Sequence, residues 1–108
     1  MWYVFPQLKH LEHAYNSKYY GISGIAEATA YLQHQILGQR LREVTSIILH
    51  LSGNDAEAIF GGVDAIKLRT SMTLFDFIYS NDIYVSVLDK YFQGVKDHRT
   101  VSILNTQK

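Results

Sequence analysis

Five aliphatic residues at helical spacing constrain the fold of this chain more than any other feature. They are separated by four, three, four and three positions: Leu37, Leu41, Val44, Ile48 and Leu51. This spacing brings all five side chains to one face of an α-helix, whereas a half-buried strand would alternate apolar and polar residues. The stripe therefore predicts an amphipathic helix from Leu37 to about Leu51 that packs on a core and ends at Ser52 and Gly53.

Capping residues and glycines divide the rest of the chain into further helices. Residues suited to begin a helix are Ser23, Asn54 or Asp55, Asp64, Asp82 and Thr100. Residues suited to end one are Gly53, Gly61 and Gly94. The helix that begins at Asp64 has a predicted apolar face of Leu68, Met72, Phe75 and Tyr79. Because strand-like alternation is nearly absent, the predicted fold is a compact all-α single domain, residues 1–108, with about five helices and an irregular N-terminal segment.

Composition argues against several classes of function. The chain carries ten basic and ten acidic side chains without long runs of like charge, so the cationic surface of a nucleic-acid-binding protein is missing. It has no cysteine, which removes disulfides, thiolate nucleophiles and zinc ribbons. Its apolar runs are too short for us to expect a membrane-spanning helix, and we do not expect its first ten residues to act as a signal peptide. We expect a soluble cytoplasmic protein without a cofactor and without a nucleic-acid or membrane partner.

The segment from Asp64 to Phe75 combines cations and hydroxyl groups on one predicted helix. Lys67 and Ser71 lie four positions apart on one stripe, and Arg69 and Thr73 lie four positions apart on another. One hypothesis is an anion site, in which the lysine or the arginine supplies charge and the two hydroxyls supply directional hydrogen bonds. The alternative is that the cations are solvated and that the hydroxyls bond back to the preceding turn of the helix.

Two other regions contribute candidate ligand-binding residues. Arg40 lies three positions before Glu43, and the pair either orients the arginine toward a ligand or forms a surface ion pair worth less than about 1 kcal/mol. Trp2 and Phe5 either pack over the core or wall a pocket, in which Trp2 stacks on a planar ligand and Gln7 bonds its edge. The complete predicted site comprises Trp2, Gln7, Arg40, Lys67, Arg69, Ser71 and Thr73.

The histidines do not predict a metal site. His10 and His13 would share a face if their segment were helical, but they lack the His-Glu-x-x-His spacing and an obvious third ligand. We therefore expect no metal.

The chain resembles a bacterial family known as domain of unknown function 1810, some members of which carry the label calpastatin. The resemblance rests on segments whose order and spacing hold along the chain: Trp2-Tyr3-Val4-Phe5-Pro6-Gln7-Leu8, Tyr20-Gly21-Ile22, Leu37-Gly38 with Arg40-Leu41-Arg42-Glu43, Ile59-Phe60-Gly61, Lys67-Leu68-Arg69 with Ser71-Met72-Thr73-Leu74-Phe75, and Val87-Leu88-Asp89 with Tyr91-Phe92. It implies a compact, mostly helical domain and no particular reaction. Family members usually have a further helix before the opening segment. Since Met1 lies within that segment, the resemblance implies that this helix is absent. We hypothesise that the face it would cover is then open and that this form makes a homodimer or swaps elements.

Three functional hypotheses follow. The first is a small helical domain that binds an anionic ligand or a protein partner at one polar-aromatic cleft. The second is a hydrolase of an ADP-ribose or nucleotide N-glycosidic bond, with Asp64 or Glu43 as the acid-base group, because a short Arg-x-x-Met pattern is also similar to the NADAR group of ADP-ribose-handling proteins. The third is a pure interaction module. A single site requires Arg40 and Lys67 to converge on one pocket.

Overall fold

Six helices account for most of the described part of the chain, which in this computed structural model is residues 5–6 and 24–107. In chain order they are α1 (Ile25–Gln33), α2 (Leu37–Leu49), α3 (Ala56–Phe60), α4 (Gly62–Ile78), α5 (Ile83–Phe92) and α6 (His98–Thr106). The described residues contain no strand, so the all-α prediction is confirmed. None of these helices has both the length and the apolar character needed to cross a membrane.

Helix α4 is the centre of the fold. It packs against α1, α3, α5 and α6, and every residue from 70 to 76 is buried. Leu68, Met72 and Phe75 are completely buried, as their predicted place on the apolar face requires. Tyr79 was also predicted on this face, and this was wrong, because α4 ends at Ile78 and the Tyr79 side chain is 60% exposed. A helix surrounded in this way holds its side chains in fixed positions.

The predicted stripe of α2 packs on α1 and α5. Leu41 and Ile48 are buried, and Thr45 joins them because its hydroxyl donates to the Leu41 carbonyl oxygen at 2.6 Å. The ends of the stripe, Leu37 and Leu51, are each 38% exposed. The helix ends at residue 49, two positions before the predicted end, so the last leucine of the stripe lies beyond it.

Two side chains of α5 satisfy carbonyl groups at the end of α2. The Tyr91 hydroxyl donates to the Ile48 carbonyl oxygen at 2.6 Å. The Lys90 ammonium donates to the Leu49 carbonyl oxygen at 2.7 Å and also to the Leu51 carbonyl oxygen. Since the last carbonyls of a helix have no partner within it, these contacts stabilise the end of α2 and fix its position on α5.

The predicted N-caps are partly confirmed. The Asp55 carboxylate accepts from the Ala58 amide at 3.2 Å, and the Asp82 carboxylate accepts from the Ile83 amide at 2.8 Å. Asp64 is not a cap, because α4 already begins at residue 62 and this aspartate lies in its first turn. Thr100 is not a cap either, because it lies within α6 and its amide donates to Asp97, which is the N-cap of that helix. The predicted cap Ser23 lies outside the described residues.

Candidate functional site

A cleft of about 410 Å³ opens where α3, α4 and the end of α5 meet. Its polar lining consists of Asn54, Asp55, Glu57, Arg69 and Gln93. Its apolar lining consists of Ala56, Ala65, Ile66, Tyr91 and Phe92. We call it the Arg69 cleft, because among the described lining residues Arg69 is the only cation. Both a charged group and aromatic surface therefore face one concave space of the size that holds small ligands.

The Arg69 side chain lines the cleft and makes no hydrogen bond to a described residue. It is 35% exposed, and its guanidinium carbon lies 6.0 Å from the centre of the Phe92 ring, close enough for a cation–π contact. Its Nε atom is buried and has no hydrogen-bond partner among the described residues. Its Nη2 atom lies 3.9 Å from the Asp97 carboxylate, which is an ion pair but too long for a hydrogen bond. The two terminal nitrogens of the guanidinium therefore make no hydrogen bond to a described residue, whereas Nε is buried.

The loop after α5 is tied to the turn of α4 that carries Arg69. The Thr73 hydroxyl donates to the Arg69 carbonyl oxygen at 2.8 Å and accepts from the Asp97 amide at 3.0 Å. The Asp97 Oδ2 atom accepts from both the amide and the hydroxyl of the buried Thr100, at 2.9 and 2.6 Å. These bonds hold the aspartate in place, and its other oxygen is the one nearest to the guanidinium. Asp97 is thus a fixed negative charge beside the guanidinium.

The acidic side of the cleft comes from α3. Asp55 is exposed and uses one oxygen to cap that helix, while Glu57 is exposed in its first turn. Neither carboxylate forms an ion pair with a described cation. The cleft therefore presents a cation and two carboxylates that do not pair with each other.

Among the predicted site residues that the structure describes, it brings two together and separates the other three. Arg69 lines the cleft, and Thr73 bonds to its backbone. Lys67 and Ser71 each lie two positions from Arg69, which corresponds to about 200° around the helix, so they belong to the opposite side of α4. Arg40 is exposed at the start of α2 and does not line the cleft.

The two hydroxyls of the predicted anion site behave differently. Thr73 bonds back to the preceding turn, which is what the alternative interpretation predicted. Ser71 is completely buried, and its hydroxyl has no hydrogen-bond partner in the part of the chain that the structure describes. Trp2 and Gln7 lie outside the described residues.

The predicted acid-base groups also lie away from the cleft. Glu43 is exposed on α2 and accepts from the Gln39 side-chain amide at 3.0 Å, so the predicted pair with Arg40 does not form. Asp64 lies in the first turn of α4 and is not a lining residue. The described residues contain no group of three or more histidine or carboxylate side chains arranged to hold a metal ion.

A second cleft, of about 440 Å³, lies near the start of α5 and has a different character. The Arg42 guanidinium binds Asp82 through two hydrogen bonds of 2.7 and 3.0 Å. The hydrogen bond from Arg42 lowers the pKa of the Asp82 carboxyl, and burial raises the pKa of the Tyr84 hydroxyl. Because both terminal nitrogens of Arg42 already donate to Asp82, this guanidinium has fewer free hydrogen-bond donors than that of Arg69.

Apart from Arg69, the residues that line the cleft could not be identified as site residues from the sequence. Asp55 was interpreted only as a cap, and Glu57, Phe92 and Asp97 were not singled out as site residues. They lie on separate helices and loops, so no spacing along the chain connects them. One signal was available for Asp97, because aspartate is among the residues preferred at a helix N-cap.

These observations define the class as an all-α protein whose helices enclose a small cleft of mixed charge. The chain belongs to the family described as "Protein of unknown function (DUF1810)", whose model matches residues 1–104. It is similar to the conserved hypothetical protein Rv1873 from Mycobacterium tuberculosis, with which it shares 46% sequence identity. The crystal structure of that protein superposes with a TM-score of 0.91, and the match covers 96% of this chain and 75% of that one. No curated protein matches the chain. The match to the family model and the similarity to this solved structure confirm the predicted family.

Proposed function

We propose that this protein binds a small ligand whose anionic group is held by Arg69 in the Arg69 cleft. The observation that carries the proposal is the state of that guanidinium, which faces a cleft of ligand size with no hydrogen bond to a described residue. A planar guanidinium recognises carboxylates and phosphates through paired hydrogen bonds. The Phe92 ring beside it adds apolar surface for the rest of the ligand.

The packing around Arg69 supports preorganised binding. Its helix is surrounded by four others, and Asp97 restrains its side chain from the α6 side without forming a hydrogen bond. An anionic ligand therefore binds a cation that is already near its final position, which reduces the entropy lost on binding. A partly sheltered cation also interacts more strongly with an anion than a fully exposed one does.

The test is a thermal-shift screen with carboxylates, sugar phosphates, mononucleotides, NAD and ADP-ribose. A ligand present at about 100 times its Kd adds about 2.7 kcal/mol to the free energy of unfolding, which gives a clear rise in Tm for a protein of this size. The Arg69→Gln variant should weaken binding by about 10- to 100-fold, since a hydrogen bond to a charged group is worth about 1.5–3 kcal/mol.

Arg40→Gln is the matched control, because it removes the same charge from an exposed site outside the cleft. It should leave the ligand affinity unchanged. Equal losses in the two variants would show that only net charge matters and would refute the site. A loss of ligand affinity in the Arg40 variant alone would indicate that the ligand binds near α2 and not in the Arg69 cleft.

A protein partner is a second candidate, because exposed aliphatic side chains border the cleft. Val63 and Ile66 lie three positions apart on α4 and are 68% and 55% exposed, and Ile66 also lines the cleft. Exposed apolar surface of this kind is found at protein interfaces. The Val63→Glu variant separates the two functions, because it should abolish capture of a partner while leaving stabilisation by a small ligand intact. Stabilisation lost in this variant would mean that Val63 belongs to the small-ligand site.

A further inference from the structure

We infer that the ligand of the Arg69 cleft is a zwitterion, with its positive group held by Asp55 and Glu57 and its negative group held by Arg69. This inference rests on the proposed function and adds the chemical class of the ligand.

The charges of the cleft carry the argument. Among the described lining residues there are two carboxylates and one guanidinium, and the guanidinium also lies 3.9 Å from the Asp97 carboxylate outside the lining. A ligand with negative charge alone would gain from Arg69 but be repelled by the two carboxylates of α3. A ligand with positive charge alone would be repelled by Arg69. Opposite charges at the two ends of one ligand complement both sides of the cleft.

The acidic groups are available for such a contact. Asp55 Oδ1 is used by the Ala58 amide, which fixes the side chain and leaves its second oxygen open. Glu57 has no ion-pair partner among the described cations. The Lys90 ammonium donates to the carbonyl oxygens of Leu49 and Leu51 and forms no ion pair with either carboxylate.

The apolar part of the ligand has a matching surface. The Phe92 ring lies beside the guanidinium, and Ile66 and Tyr91 contribute further apolar lining. A compact body between the two charged groups, such as a ring or a short aliphatic chain, can therefore bury apolar area in the cleft. An amino acid or a molecule of similar design has this combination of groups.

The experiment compares three compounds that share one ring, titrated at millimolar concentration and followed by backbone amide NMR. They are 4-(aminomethyl)benzoate, which is a zwitterion, 4-methylbenzoate, which is an anion, and 4-methylbenzylamine, which is a cation. A second set with a flexible body, 6-aminohexanoate, hexanoate and hexylamine, removes the dependence on one fixed distance between charges. In at least one set the zwitterion should bind about tenfold more tightly than either relative.

Two conservative variants assign the ends of the ligand. Arg69→Gln should reduce the zwitterion to the affinity of the matched cation, and Glu57→Gln should reduce it to the affinity of the matched anion. Asp55→Asn should act in the same direction as Glu57→Gln while keeping the α3 cap, because asparagine is also a good N-cap.

The alternative outcomes separate this inference from the proposed function. If the anions bind as tightly as the zwitterions and Arg69→Gln weakens them, the proposed function stands and the zwitterion is wrong. If the cations bind most tightly and Arg69→Gln has no effect or improves them, both are wrong. If none of the six compounds binds, the zwitterion inference is overturned, and the phosphate-bearing compounds of the thermal-shift screen decide the proposed function.

Discussion

Replacing Asp97 by alanine and by asparagine separates the structural role of this residue from its contact with Arg69. The carboxylate accepts two hydrogen bonds from Thr100, whose side chain is completely buried. Alanine removes the N-cap of α6, at a cost of about 0.5–2 kcal/mol, and leaves a buried hydroxyl without a partner, at a further cost of about 1–3 kcal/mol. Both costs arise from the same bonds to Thr100, so they overlap and do not add in full. We expect Asp97→Ala to destabilise the protein by about 2–4 kcal/mol.

Asparagine keeps the oxygen that accepts both bonds and loses only the negative charge. The ion pair to Arg69 is long, at 3.9 Å, and its arginine is 35% exposed, so solvent screening limits its value to less than about 1 kcal/mol. We therefore expect Asp97→Asn to be close to wild type in stability. Urea denaturation of the two variants measures the difference between them.

The result that would refute this reasoning is an equal loss of stability in both variants. It would show that the charge on Asp97, and with it the contact to Arg69, stabilises the fold. The guanidinium would then be a structural group with its bonding capacity already used. A stable Asp97→Asn variant instead leaves Arg69 available for a ligand.

Three further predictions concern other parts of the fold. Tyr91→Phe should destabilise the protein by about 1 kcal/mol in urea denaturation, because it removes the buried hydrogen bond to the Ile48 carbonyl oxygen, and an unchanged midpoint would contradict that role. The lowered pKa of Asp82 means that the pair with Arg42 stabilises the fold at pH values above the ordinary carboxyl pKa, and that this contribution is lost as the pH falls. Arg42→Ala should therefore reduce the loss of stability in acid. It should leave the dependence of the free energy of unfolding on pH near neutral pH unchanged. Light scattering over a range of protein concentrations should show a dimer if the predicted homodimer forms, and a constant monomer mass would exclude it.

The helices could be predicted where the signal is local. The stripe of α2 and the caps Asp55 and Asp82 follow from spacing and from hydrogen bonds within a few residues. The errors have local causes as well. Asp64 was predicted as a cap, but α4 already begins at Gly62. Thr100 was predicted as a cap from its residue type, but it donates its amide and hydroxyl to Asp97, which is the cap.

The candidate site could be predicted only in part, because it is assembled from segments far apart in the chain. Arg69 was identified as a cation on a helix with nearby hydroxyls, which is a local feature. Its neighbours Glu57 and Phe92 come from other helices, and their approach depends on how α3 and α5 pack on α4. Helical geometry also separates Lys67 from Arg69, so the residues of the proposed anion site could not all converge.

NMR of the arginine side chains gives direct access to the proposed contact. The chain has four arginines, Arg40, Arg42, Arg69 and Arg99, so four Nε–Hε signals are expected, and Arg→Lys variants assign them. The buried Nε of Arg69 should give a signal protected from exchange with water. Adding the compound that raises Tm most should move the Arg69 signal and leave the other three in place. A compound that stabilises the protein without moving this signal, or that moves the Arg40 or Arg99 signal instead, would contradict ligand binding by Arg69.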